Sequence, residues 1–241
     1  MSLDGLAAPS RGLTSQFFAH ASLSMLPLHL GPTSGRPLNI LCLGAHSDDL
    51  EIGCAGAIME ILKRYSQASI SWVVLSGVHE RKKEATRSAT ALLRAAAKKN
   101  IVLGRFTDGR FPAEFHELKV FFEEIKRLVR PDLILTHRLE DRHQDHRITA
   151  ELTWQTWRDH LILEYEIPKY EGDLGQPNLY IPLSSAMAAR KVRHLLRHFG
   201  TQRNRVWFRE ETFDAMMRLR GMECRAASGL AEAFHVRKAV L

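Results

Sequence analysis

Residues 38–160 alternate between short, strongly apolar runs and longer stretches in which apolar side chains recur at helical spacing. Leu38–Gly44, Ile70–Ser76, Ile101–Leu103 and Asp132–His137 read as strands, short and rich in Leu, Ile and Val as strands covered on both faces are. Between them, Leu50–Arg64, His79–Lys98, Ala113–Val129 and Asp145–His160 carry the 3.6-residue period of amphipathic helices. This order predicts an α/β fold: a Rossmann-like, doubly wound, mostly parallel sheet with helices on both faces. Beyond residue 160 the pattern weakens. Leu161–Ile167 reads as a strand, Glu171–Pro182 as a turn-rich segment, Ser184–Phe199 and Glu211–Arg220 as helices, and Phe234–Leu241 as a closing strand. No repeat or linker divides residues 38–241, which read as a single domain. Residues 1–37 mix Ser, Gly and Pro with little charge and read as a loosely structured leader. Their apolar run, Phe17–Leu30, is interrupted by His20, Pro27 and His29 and is short of the roughly 20 residues a membrane span needs.

Open sheets of this kind bind ligands at the carboxyl ends of their strands, so the residues that follow each strand matter most. After the first strand comes Gly44-Ala45-His46-Ser47-Asp48-Asp49, entering a helix; after the fourth comes His137-Arg138-Leu139-Glu140-Asp141-Arg142-His143-Gln144-Asp145-His146. First and fourth strands side by side, the usual switch-point arrangement, would bring the two clusters together. His46, Asp49 and His146 then form a two-imidazole, one-carboxylate set suited to Zn2+ or another divalent transition metal, with a position left open as catalytic sites require. Such an ion acidifies water. Asp48 stands between the ligands as a general base, His143 is placed to protonate a leaving group, and Asp145 could orient that imidazole. His137 and His79 could line the cleft without touching metal. His194 and His198, four apart in a basic stretch, read as solvated rather than ligating. Cys42 and Cys54 read as small apolar packing residues, and Tyr165 and Tyr180, flanking the turn-rich segment, as side chains that could stack on a sugar.

Composition and charge modify this picture in two ways. With 241 residues, 45% hydrophobic and 25% charged, the chain is an ordinary globular sequence, and its 3 Cys form no scaffold or C-x-x-C pair, which points to the cytoplasm. The net charge of +7 suggests nucleic acid at first sight. Residues 1–184, however, carry 22 basic and 22 acidic side chains, and residues 185–241 carry 12 and 5. The excess is therefore a basic C-terminal part, read as a rim that attracts an anionic substrate or an acidic partner.

The run AHSDDLEIGCAG resembles the AHPDDxExGxGG signature of the PIG-L/LmbE-like deacetylases, zinc enzymes that remove the acetyl group from N-acetylglucosamine-type amino sugars, and DRHQDH resembles their DRHPDH. Arg81-Lys82-Lys83-Glu84, Asp108-Gly109 and Ala231-Glu232-Ala233-Phe234 resemble further family positions. The resemblance implies His46, Asp49 and His146 as zinc ligands, Asp48 as base, His143 as acid and Asp145 as its partner, with Arg81 and Asp108 as substrate contacts. Ser47, Ala55 and Gln144 depart from the pattern. Asp141 stands where some members have a Tyr oxyanion donor, which would leave zinc, with Arg142, to stabilise the oxyanion. The expected function is zinc-dependent deacetylation of an N-acetylated amino sugar or its conjugate, a small and possibly anionic molecule, with no nucleic-acid partner and with a homo-oligomer left open. Two alternatives stay open: a metal hydrolase acting on a different amide or ester, and a nucleic-acid-binding protein using the basic C-terminal part.

Overall fold

The computed structural model describes residues 28–30 and 36–240. Most of the expected leader, together with Leu241, lies outside the described residues. In chain order the elements are β1 (Asn39–Gly44), α1 (Asp49–Arg64), β2 (Ser69–Val74), α2 (His79–Leu92), β3 (Lys98–Leu103), α3 (Phe115–Leu128), β4 (Leu133–Thr136), α4 (Gln144–Thr156), β5 (Leu161–Tyr165), β6 (Leu179–Pro182), α5 (Ser185–His198), α6 (Glu210–Glu223) and β7 (Ala231–His235). The strands form one sheet in the order β3-β2-β1-β4-β5-β7-β6. The first five strands are parallel, and β7 runs antiparallel to both β5 and β6.

Alternate side chains of each strand feed two cores. Ile40 and Cys42 of β1, Ile70, Trp72 and Val74 of β2, and Leu163 and Tyr165 of β5 face one side, where α1, α5 and α6 pack. Leu41 and Leu43, Val73, Ile134 and Ile162 face the other, against Leu118 and Phe122 of α3 and Ile148 and Leu152 of α4. This is why the central strands read as unbroken apolar runs: both faces are covered, and each fully buried aliphatic side chain contributes on the order of 1.5–3 kcal/mol.

Several element boundaries differ from the sequence reading. The expected helix His79–Lys98 ends at Leu92, a short 3-10 turn follows, and β3 already begins at Lys98. Lys98, Lys99 and Asn100 are exposed because β3 is an edge strand, so their polarity hid the strand. The turn-rich segment contains β6, a second edge strand. The closing strand is Ala231–His235 rather than Phe234–Leu241, paired between β5 and β6. Cys42 and Cys54 are buried, and burial pushes both thiols up. Among the described residues no helix is long and apolar enough to cross a membrane.

The middle of α1 is gripped from outside by a buried ion pair. Glu232 of β7 accepts the amides of Gly56 and Ala57 at 2.9 and 2.6 Å, and Lys191 of α5 donates to the carbonyl of Ile52 and to Glu232, each at 2.5 Å. The carbonyl of Ile52 and the amide of Gly56, partners in a regular helix, are thus held by a buried ion pair from two later elements.

Candidate active site

β1 and β4 are neighbours, and the helices that follow them lie on opposite faces, which opens a crevice at their carboxyl ends. His46, Asp48 and Asp49 enter it from the β1–α1 turn, and His143, Asp145 and His146 from the start of α4. All of these except the partly buried His143 are buried.

His46 Nδ1 and His146 Nε2 face each other at 3.2 Å. Asp49 Oδ2 lies 3.3 Å from the first nitrogen, and Asp49 Oδ1 lies 3.5 Å from the second. Each separation is close to the roughly 3.3–3.4 Å between donors that share one ion at about 2.0–2.1 Å in tetrahedral geometry, with Asp49 reaching the two rings through different oxygens. The donor chemistry and spacing therefore fit a divalent transition metal. Burial alone would raise the Asp49 carboxyl, but the charges of His146, His137 and His46 hold it well below the ordinary range.

His137, absent from the expected ligand set, is fully buried. Its Nε2 accepts the Ala45 amide at 3.0 Å and lies 3.1 Å from Asp49 Oδ2, and its ring stacks on His146 with centroids 3.9 Å apart. Asp49, His137 and His146 make one group with metal-ligand spacing and His46, His143 and His146 another, while the expected trio His46, Asp49 and His146 is divided between them; burial pushes the His137 imidazole down to about 4.

Asp48 caps α1. Its Oδ1 accepts from Arg81 Nη2 at 2.8 Å, while Oδ2 is buried with no hydrogen-bond partner among the described residues. Burial outweighs Arg81 and raises this carboxyl. Asp108 lies at the mouth, its side chain 56% exposed, with Oδ1 3.1 Å from His46 Nε2 and Oδ2 3.8 Å from Arg81. Arg142 joins the network through its backbone, whose amide donates to Asp173 Oδ2 at 2.7 Å, and its side chain is exposed.

Asp145 differs from its expected part. Its carboxylate does not pair with His143; Oδ2 lies 3.2 Å from His46 Nε2 and accepts the Gly109 amide at 2.6 Å, while Oδ1 accepts the Phe111 amide at 3.2 Å. His143 meets Asp145 through the backbone instead, its Nδ1 accepting the Asp145 amide at 3.3 Å as the N-cap of α4. Burial and the charges of His146 and His46 hold His143 below its ordinary range.

Residues 41–157 match the family described as PIG-L: GlcNAc-PI de-N-acetylase. Solved structures share its fold. N,N'-diacetylchitobiose deacetylase from Pyrococcus horikoshii superposes with a TM-score of 0.65 at 18% identity, covering 82% of this chain and 83% of that one. A zinc-inhibited form of teicoplanin deacetylase gives 0.64 at 14%, over 82% and 97%. The 4-carboxy-2-hydroxymuconate hydratase of Pseudomonas putida KT2440 gives 0.65 at 16%, over 85% and 98%. A hydratase among them shows that the fold alone does not choose the reaction.

Two other expectations change. Tyr165 is fully buried, its hydroxyl donating to the Leu43 carbonyl at 2.8 Å and its ring beside His137, so it offers no surface to a sugar; Tyr180 sits on the edge strand β6 with its hydroxyl near Pro177 O and Glu223. His194 is half-buried rather than fully solvated. Its Nε2 lies 2.7 Å from Ser88 Oγ, which donates to the buried Glu51. Sequence reasoning also passed over Lys169 and Asp173, which lie outside the matched residues in a loop with no periodic signal.

Proposed function

We propose that the protein is a hydrolase dependent on a divalent metal, with zinc the best fit to its donors, that removes the acetyl group from an N-acetylated amino sugar or its conjugate. The match of residues 41–157 to the family of GlcNAc-PI de-N-acetylases supports the class of substrate. The observation that carries the chemistry is Asp48: a buried carboxylate with one oxygen clamped by Arg81 and the other unpartnered among the described residues, beside the His46 and His146 imidazoles and the Asp49 carboxylate.

His46, Asp49 and His146 would hold the ion, which supplies polarisation of the acyl carbonyl and a lower pKa for water. Asp48 Oδ2 takes a proton from the attacking water, and its raised affinity for protons, a consequence of burial, suits that task. Arg81 keeps Oδ1 in place, so Oδ2 is the oxygen that faces the chemistry. His143 Nδ1 accepts the Asp145 amide, so the proton that reaches the departing nitrogen is delivered through Nε2. The C–N bond breaks as that proton arrives, leaving a carboxylate and an amine. Asp145 holds His46 Nε2 and thereby turns Nδ1 toward Asp49 and His146. At the mouth, Arg81, Asp108 and Arg142 offer both charges to hydroxyls or to an anionic part of the substrate.

The test is mass spectrometry of N-acetylated sugars, sugar nucleotides and glycosides incubated with zinc-loaded protein, and the expected result is loss of one acetyl group from one class. A panel left intact would overturn the deacetylase reading. Asp48→Asn is expected to keep zinc and lose on the order of 10²–10⁴-fold in turnover, whereas His146→Ala and Asp49→Ala lose zinc. Equal zinc loss in all three would overturn the division of roles.

A further inference from the structure

Behind His146 lies a set of buried charges that neither motif contains in full. Asp141 Oδ2 accepts from His146 Nδ1 at 3.1 Å, and Asp141 Oδ1 accepts the His143 amide at 2.8 Å. Lys169 Nζ donates to that same Asp141 Oδ2 at 3.0 Å and to Asp173 Oδ1 at 2.6 Å. Asp173 in turn holds the Arg142 amide through Oδ2, and its carbonyl accepts from Arg138 Nη2 at 2.7 Å. Residue 175 is glycine, and a Cβ there would meet the end of the Arg138 side chain, which would have to shift. The side chains of Asp141 and Asp173 are 4% exposed and that of Lys169 is 10% exposed. One ammonium thus bridges two carboxylates in a space that water barely enters.

We propose that Lys169 is a positioning residue for the metal centre: by fixing Asp141, it holds the Nδ1–H of His146 and leaves Nε2 turned toward His46 and Asp49. The proposal rests on the assignment of His146 as a metal ligand. Asp141 has two duties, the imidazole of His146 and the backbone of His143, and both need its carboxylate in one orientation. Without Lys169 the two carboxylates have no cation between them and repel, and the His146 ring loses the acceptor that selects its tautomer. A residue that only tied the loop in place would leave the imidazole unaffected.

Zinc titration of the metal-free full-length protein, in competition with a chelator, and ¹⁵N NMR of the histidine side chains test this in wild type, Lys169→Met, Lys169→Arg and His146→Ala. Lys169→Met is expected to lower zinc affinity roughly 10–100-fold, the usual cost of losing a group that orients a ligand. It is also expected to replace the single Nδ1–H form of His146 by a mixture, and Lys169→Arg should restore both. Should Lys169→Met fail to fold, Lys169→Gln, which keeps a donor without the charge, is expected to show the same two changes. Wild-type zinc affinity and an unchanged His146 tautomer in the uncharged variant, alongside zinc loss in His146→Ala, would overturn the role of Lys169 alone. Unchanged zinc affinity in His146→Ala would overturn the metal assignment itself, and this proposal with it.

Discussion

Gly53 shows how a residue far from any chemistry supports the site. It lies on α1 where a Cβ would overlap the Tyr165 ring, and Tyr165 cannot retreat, because its hydroxyl is bonded to the Leu43 carbonyl and its ring rests beside His137. Gly53→Ala is therefore expected to destabilise the protein by roughly 1–3 kcal/mol, the usual cost of overpacking a filled core, measured by urea denaturation. A variant as stable as wild type would show that the ring and the helix can separate. At this scale the motif residues His46, Asp48, Asp49, His143 and His146 were legible, since their spacing follows from a strand-to-helix turn and a helix start. The part played by Asp145 was not. Its carboxylate turns to His46, a choice set by the Gly109 and Phe111 amides that a separate loop presents.

At the scale of elements, α1 carries the metal-ligand candidate Asp49 in its first turn and meets a buried ion pair at its middle. Glu232 and Lys191 bond backbone groups in the middle of the helix. Removing one partner strands the other: Glu232→Ala leaves the Lys191 ammonium and two amides unpaired out of water, an expected loss of about 3–5 kcal/mol in denaturant unfolding. The double variant Lys191→Met, Glu232→Gln is expected to lose less than the two single variants together, because no lone charge stays buried. Additive losses would contradict the pairing. The helices up to residue 160 were legible because amphipathic period is a local property. Strand β6 and the start of β3 were not, because edge strands lack the second buried face that makes a strand apolar.

The charge excess of the whole molecule is partly spent inside it. Lys191 pairs with Glu232, Arg220 with Glu166, and Arg237 with Glu164 and Glu140, while Arg190, Arg193 and Arg197 have no carboxylate partner among the described residues. The same C-terminal part shapes the response to acid. Burial, then His198, Arg190 and Arg197, push His194 down to about 4, and burial with Arg138 does the same to His235. Both folded values lie below the ordinary one of about 6.5, so the unfolded chain binds protons first. The stability these neutral rings contribute is full above about pH 6.5 and is lost as pH falls toward about 4. Glu51, pushed up to about 8 by burial, acts in the opposite sense, so the informative quantity is a difference. Relative to the variant His194→Gln, His235→Gln, wild type is expected to lose stability between about pH 6.5 and about pH 4.5 in urea titrations; parallel pH profiles would contradict this. The sequence by itself determined the α/β alternation and the two residue clusters at strand ends, because helical period, strand length and motif spacing are local. Only the tertiary structure decided which groups hold those clusters in place. His46 meets Asp145 across 99 positions, Lys169 meets Asp141 across 28, and Gly56 meets Glu232 across 176. Such pairings follow from strand order and from which helix covers which face, and no local pattern of apolar and polar residues encodes either.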